Sequence, residues 1–241
     1  MSTRIHIADA LAVDAHLELP EGAARHVGQV LRMRAGELLT LFNGAGGEYD
    51  AVIEAVERRS VRVRIENYRE VERESRLNLS LAQCVSKGER MDYTVQKAVE
   101  LGVNAIVPLL SARSVVKLDG ERWEKKLEHW RGIVVAACEQ SGRTRVPHVH
   151  PVQRLDAWLA TATTGARLVL APGGHHALKE LAPAQDATLL VGPEGGLDDK
   201  EIAMAVHRGF TAIGLGPRVL RTETAGVAAL SALQALWGDL G

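Results

Sequence analysis

The chain has 241 residues, 46% of them hydrophobic and 24% charged, enough for one large or two small domains around a sizeable core. A formal net charge of -1 sets no overall demand for a nucleic-acid partner, so any such partner must be met by a local grouping of basic residues. The two cysteines, Cys84 and Cys138, are too few and too far apart for a disulfide framework, and no apolar run reaches the length of a signal peptide core or a membrane span, so the chain reads as cytoplasmic.

The first 70 residues read as β-rich. Arg4 to Ile7 alternates, Leu38 to Phe42 is apolar, and Asn43-Gly44-Ala45-Gly46-Gly47 is a turn. Glu48 to Val56 and Ser60 to Ile65 form a predicted hairpin. Between the first strands, Glu21 to Met33 is a short helix whose Ala24, Val27, Val30 and Leu31 share a face. Short strands around one helix predict a small barrel over residues 1–70. The run Arg69 to Arg76 (REVERESR) reads as a solvated linker.

From Leu77 strands and helices alternate. The predicted strands are Leu77 to Ala82, Val103 to Leu109, Arg167 to Leu170, Thr188 to Val191 and Ala212 to Leu215. The predicted helices are Arg90 to Leu101, closed by Gly102, and Glu121 to Glu139. A further helix opens on a capping box, Asp198 with Glu201, and ends at Gly209. The last runs from about Thr224 to Trp237, with Val227, Leu230, Leu233, Leu236 and Trp237 on one face. Such alternation predicts an α/β domain over residues 76–241 with a parallel sheet covered by helices.

Two segments carry the chemistry. LLVGPEGGLDDKE (Leu189 to Glu201) and IGLGPRVLRTETAG (Ile213 to Gly226) each leave a strand, turn through Gly and Pro, and enter a helix. Loops of this kind surround a crevice at the carboxyl ends of parallel strands with backbone N–H groups. The dinucleotide fingerprint is absent, because Val219 stands where a third glycine is required, and there is no GxxxxGK[ST]. Gly195 and Gly196 allow backbone approaches closed to other residues, whereas Pro193 and Glu194 fit a plain structural turn equally well. Thr222 and Thr224 read as helix caps and Glu223 as a partner for an arginine. Arg218 and Arg221 beside the crevice suit a phosphate or an anionic base.

Further basic residues sit in loops of the same half: Lys87 and Arg90, Arg113 and Lys117, Arg143 and Arg145. Together they predict a positive rim suited to phosphate-backbone contact. His148, His150, His175 and His176 lack metal-ligand spacing, and no metal site is expected. Neither cysteine lies in a nucleophile motif.

In order along the chain, HVGQVLRMRAGE (His26 to Glu37), KGERMDYTVQKAVELGV, RSVVK, ACEQSGR, LLVGPEGGLDDKE and LGPRVLRTETA resemble the RsmE family of bacterial 16S ribosomal-RNA uracil-N3 methyltransferases, part of the SPOUT superfamily. Cys138 departs from the pattern, where a small residue such as alanine is expected. The resemblance covers nearly the whole chain. It implies a PUA-like RNA-binding barrel at 1–70, with Arg25, Arg32 and Arg34 facing RNA, and a trefoil-knotted methyltransferase domain at 76–241. It implies S-adenosylmethionine held by Leu170, Ala171 and Pro172, by Gly192, Pro193, Glu194, Gly195 and Gly196, and by Leu215, Gly216, Leu220, Arg221 and Thr222. It further implies a homodimer acting on 16S ribosomal RNA or the assembled small subunit, with no metal and no membrane. Arg221 is then the first catalytic candidate, followed by Arg218; a carboxylate base would be Glu139 or Glu223. Two alternatives stay open: a SPOUT ribose 2′-O-methyltransferase, and a non-catalytic RNA-binding assembly factor. KGERMDY favours the uracil enzyme.

Overall fold

The computed structural model describes residues 3–116, 118–161, 164–174 and 176–241. Contacts divide the chain into two compact units, 1–74 with 138–146, and 75–137 with 147–241. The return of 138–146 to the first unit is invisible to any linear division of the sequence.

The first unit holds β1 (Thr3–His6), β2 (His16–Glu18), α1 (Glu21–Arg25), β3 (Leu38–Phe42), β4 (Glu48–Val56) and β5 (Val61–Arg69). They form a sheet ordered β1-β3-β4-β5-β2, with β1 parallel to β3 and the other pairs antiparallel. Over the first half of β5, alternate side chains, Val61, Val63 and Ile65, are buried with Ile5, Leu39, Leu41, Ala51 and Ile53 in one core. The expected helix from Glu21 to Met33 is only half right. After α1 the backbone opens into a π-helical turn, His26–Val30, and Arg32 takes a left-handed φ of 55°. That wider turn breaks the 3.6-residue period, so Ala24 and Val27 are buried while Val30 and Leu31 are 63% and 42% exposed.

The charge run is not a free linker either. Glu48, buried at the start of β4, pairs with Arg4, with Arg69 at 2.9 Å and with Arg73 at 3.2 Å. Burial alone would raise its carboxyl, but hydrogen bonds from Arg73 and Arg4 outweigh that and hold it below the usual value. Arg143 is buried, and its guanidinium pairs with Glu74 while Arg4 donates to its carbonyl at 3.0 Å. Arg73 also donates to the Gly142 carbonyl at 2.8 Å. Glu72, Arg73 and Glu74 of this stretch therefore tie 138–146 to the rest of its own unit.

The second unit contains β6 (Asn78–Cys84), α2 (Glu89–Glu100), β7 (Ala105–Leu110), α3 (Gly120–Ser141, whose end joins the first unit), β8 (His148–Val149), β9 (Gln153–Arg154), α4 (Leu155–Leu159), β10 (Ala166–Leu170), β11 (Asp186–Val191), α5 (Asp199–His207), β12 (Thr211–Ile213) and α6 (Thr222–Trp237). The sheet is parallel and ordered β12-β10-β11-β6-β7-β8, with β9 also on β7. Both faces are covered, so β6 and β11 are almost continuously buried. Ala82 and Cys84 join Leu155, Trp158, Leu190 and Phe210 on one face. By alternation Leu81 and Gln83 point to the other, where α6 lies. The short pieces β2, β8, β9 and α4 have too few residues for a periodic signal, and β12 ends at Ile213 rather than Leu215. α6 buries Leu230, Leu233 and Trp237, whereas Leu236 is 46% exposed.

Candidate functional site

Three neighbouring strands, β12, β10 and β11, end side by side, and the loops that follow them enclose a cavity of about 290 Å³. Its walls are Leu170 to Gly173, Val191 to Leu197 and Ile213 to Leu220, closed by Thr222 and Ala225 of α6. The loops touch through their backbones. Ala171 N–H donates to the Ile213 carbonyl at 3.1 Å, and Gly214 N–H to that of His176 at 3.2 Å. A Cβ at Gly174 would collide with the Ile213 and Gly214 backbone, so a side chain there is excluded. Gly196 has φ 68° and Gly216 φ 85°, conformations that favour glycine at both turns; Gly195 does not share them.

The PEGG turn is braced from outside. Glu194 accepts from Lys87 N–H at 2.7 Å and from the Arg90 guanidinium at 3.0 Å. Burial pushes its carboxyl upward, but backbone N–H groups and Arg90 together hold it below its ordinary value. Arg90 Nε also lies 3.8 Å from Glu223. Arg113 donates to the Gly195 carbonyl at 2.8 Å, and its side chain packs where a Gly195 Cβ would go. Glu201, the capping-box partner of Asp198, accepts from Ala112 N–H at 2.7 Å as well.

An RNA methyltransferase domain profile matches residues 73–234, and an RNA methyltransferase PUA domain profile matches residues 19–66. Ribosomal RNA small subunit methyltransferase E from Buchnera aphidicola (subspecies Schizaphis graminum) is 34% identical over 239 residues, covering 98% of this chain and 97% of its own. The chain belongs to the ribosomal RNA small subunit methyltransferase E family. A solved member from Neisseria gonorrhoeae, bound to S-adenosyl methionine, is 38% identical with a TM-score of 0.94 over the whole of both chains. A Legionella pneumophila protein described as a methyltransferase, solved with its cofactor SAM, is 45% identical with a TM-score of 0.97, again over both full chains.

Within this family member, the residues singled out from sequence do not all meet at the cavity. Leu170, Ala171, Pro172, Gly192 to Gly196, Leu215, Gly216, Leu220 and Thr222 all line the cavity, as does Arg218. Arg221 does not; it is the exposed residue preceding α6. Glu223 pairs with Arg90 rather than with Arg221. Glu139 belongs to the first unit, where it accepts from His6 N–H at 2.9 Å, and is not among the lining residues.

The basic rim also divides. Arg143 is a buried ion pair and cannot meet a phosphate without breaking it, and Arg145 is exposed but bonded to Glu72 at 3.0 Å. Arg90 and Arg113 hold the PEGG turn. Lys117 and His175 lie outside the described residues. Arg25, Arg32 and Arg34 are exposed, with no ion-pair partner among the described residues. No helix among the described residues is long and apolar enough to cross a membrane, and no group of three or more His, Cys, Asp or Glu among them could hold a metal.

Sequence reasoning missed Gln83. Its side chain is fully buried at the end of β6, and its amide nitrogen reaches the Cys84 carbonyl at 2.9 Å, Thr222 Oγ1 at 3.2 Å and the Gly192 carbonyl at 3.3 Å. The signal was present: a lone glutamine inside the apolar run LSLAQC must find partners or be costly.

Proposed function

We propose that this protein transfers a methyl group from S-adenosylmethionine to N3 of a uracil in 16S ribosomal RNA of the small subunit. The cavity carries the reading: it lies at the carboxyl ends of three adjacent parallel strands, and its walls are apolar side chains interleaved with glycine backbone. Such a cradle fits a flat heterocycle and a flexible amino-acid tail, and it needs no metal. Leu170 to Pro172, Gly192 to Gly196, Leu215, Gly216, Leu220 and Thr222 would hold the cofactor. When bound, S-adenosylmethionine supplies a methyl group already activated by its sulfonium.

The chain's own task is then to orient the base and to favour its anion. The N3 proton of uracil leaves about 2 pH units above neutrality, so exposing the lone pair at pH 7 costs roughly 3 kcal/mol. A guanidinium against the uracil carbonyls offsets much of that, because the negative charge it meets grows only toward the transition state. Arg218 takes this role ahead of Arg221, since it lies on the cavity wall and has no ion-pair partner among the described residues. Arg25, Arg32, Arg34 and Lys87 are the side chains we assign to RNA phosphates, with the active form a homodimer.

Nucleoside mass mapping of 16S RNA tests the reaction, using cells lacking the gene and the same cells with it restored. Loss and return of one N3-methyluridine is expected. A change in a 2′-O-methyl nucleoside instead would make this a ribose enzyme, and no change in any methylated nucleoside would leave an RNA-binding factor.

A further inference from the structure

Gln83 lies behind the cavity, not in its wall. Two of its three acceptors, the Gly192 carbonyl and Thr222 Oγ1, belong to residues that do line it. Thr222 in turn donates its hydroxyl to the same Gly192 carbonyl at 2.6 Å. The three groups form a closed polar triangle linking the end of β6, the loop after β11 and the first residue of α6. These acceptors also fix the amide's orientation, because the reversed rotamer would set carbonyl oxygen against carbonyl oxygen.

The other end of the same amide is orphaned. Gln83 Oε1 is buried and has no hydrogen-bond partner among the described residues, and it faces the Gly226 backbone of α6. A buried carbonyl left unpaired works against folding, and an apolar residue of equal size would remove that defect. Leu79 and Leu81, on the same face of β6, show that this side of the sheet accepts aliphatic packing. The bonds donated by the amide are thus set against its orphaned carbonyl, and leucine or methionine would remove both together. What the glutamine adds is a tie from the end of β6 to both loops at once, beside the direct Thr222–Gly192 bond and the bridge that Arg90 makes from Glu194 to Glu223 at the surface.

We propose that Gln83 is a positioning residue for the cofactor cavity, setting the Gly192 carbonyl and the start of α6 at the spacing that S-adenosylmethionine requires. The inference rests on the function proposed above. It assigns Gln83 no contact with substrate or cofactor; it acts through Gly192 and Thr222.

The test compares the full-length protein with Gln83→Met, which keeps the volume and removes both the donor and the orphaned oxygen. Three quantities are read: the urea unfolding midpoint, hydrogen exchange of backbone amides in 192–197 and 215–222, and calorimetric affinity for S-adenosylmethionine. We expect a midpoint equal to or above that of the unmodified protein. Exchange in both loops should rise at least about tenfold, and cofactor affinity should fall about tenfold, the effect of losing one well-formed hydrogen-bond node. A purely structural role gives the reverse pattern, a lower midpoint with both loop exchange and affinity unchanged, and overturns the proposal.

Should Gln83→Met not fold, Thr222→Val removes the hydroxyl corner of the same triangle. It should reproduce the loop exchange, and unchanged exchange there counts against the proposal equally. If the unmodified protein binds no S-adenosylmethionine, the proposed function fails. The exchange data then still decide whether Gln83 holds the two loops.

Discussion

Arg218 and Arg221 stand three residues apart in one loop, yet only Arg218 lies on the cavity wall. Arg218→Ala should lower the single-turnover methylation rate by about 10² to 10³, the usual cost of one charge-stabilising donor. Cofactor affinity should change by less than about threefold, because the anion it meets is absent from the ground state. Arg218→Lys should recover little, since an ammonium lacks the planar fork. Arg221→Ala should cost less than about tenfold in rate. Single-turnover rates with calorimetry on the three variants check this, and an Arg218→Ala enzyme running at full speed ends the assignment.

Glu48 makes a second single-residue prediction. Its carboxyl is held below the ordinary value of 4.5 in the folded protein, so it contributes stability that is fully present above that value. This contribution disappears as pH falls through the lower folded-state value, because the unfolded chain binds the proton more readily. Glu48→Gln should therefore unfold at lower urea concentration at neutral pH, with Arg4, Arg69 and Arg73 left facing an uncharged amide. Its loss of stability on acidification below about pH 4.5 should be shallower than that of the unmodified protein. Urea midpoints across the acid range measure both, and parallel profiles would show that Glu48 does not titrate abnormally.

Among the elements, α5 is the one whose start the sequence spells out. Asp198 accepts from Glu201 N–H at 2.8 Å, and Glu201 accepts from Asp198 N–H at 2.9 Å, as the capping box requires. Asp198→Ala should destabilise the protein by about 1 kcal/mol. Glu201→Ala should cost more, because the same carboxylate also holds Ala112 N–H. Equal losses in thermal unfolding would mean that the Ala112 bond contributes nothing. The cap was legible because its chemistry is local, two side chains three residues apart. So were the cavity loops, where glycine and proline at fixed offsets leave few backbone choices.

The helix after Glu21 was less legible for a physical reason. A π-helical turn keeps the residue types of an α-helix and changes only the period, so Val30 and Leu31 carry a core-like pattern yet lie at the surface. Arg143 failed for a different reason. Whether an arginine in a loop is free or buried depends on a carboxylate 69 residues away, Glu74, and no window of sequence joins the two. Gln83 shows the same limit from the other side, since its partner Thr222 is 139 residues distant.

The interleaving of the two units sets the behaviour of the whole chain. Residues 138–146, the last turn of α3 and the segment after it, belong to the first unit, and several of their bonds go to segments before residue 75. Arg143 pairs with Glu74, Thr144 Oγ1 donates to the Val71 carbonyl at 3.3 Å, and Arg73 donates to the Gly142 carbonyl. A variant beginning at Ser75 deletes every one of those partners. Every residue lining the cavity lies after 169 and is retained, so S-adenosylmethionine affinity should stay within about tenfold of the full chain. The damage should be confined to the end of α3 and the segment after it, where amide protection should be lost. Cys138 reports this directly. Burial pushes its thiol up to about 11 in the full chain and keeps it unreactive, and the deletion should make it available to a thiol reagent. Cys84, pushed up to about 12 by burial in the second unit, should stay unreactive in both proteins. One new reactive thiol, with cofactor binding retained, is the expected result. A shortened protein in which Cys138 stays protected would mean that 138–146 is held by the second unit and not by the first.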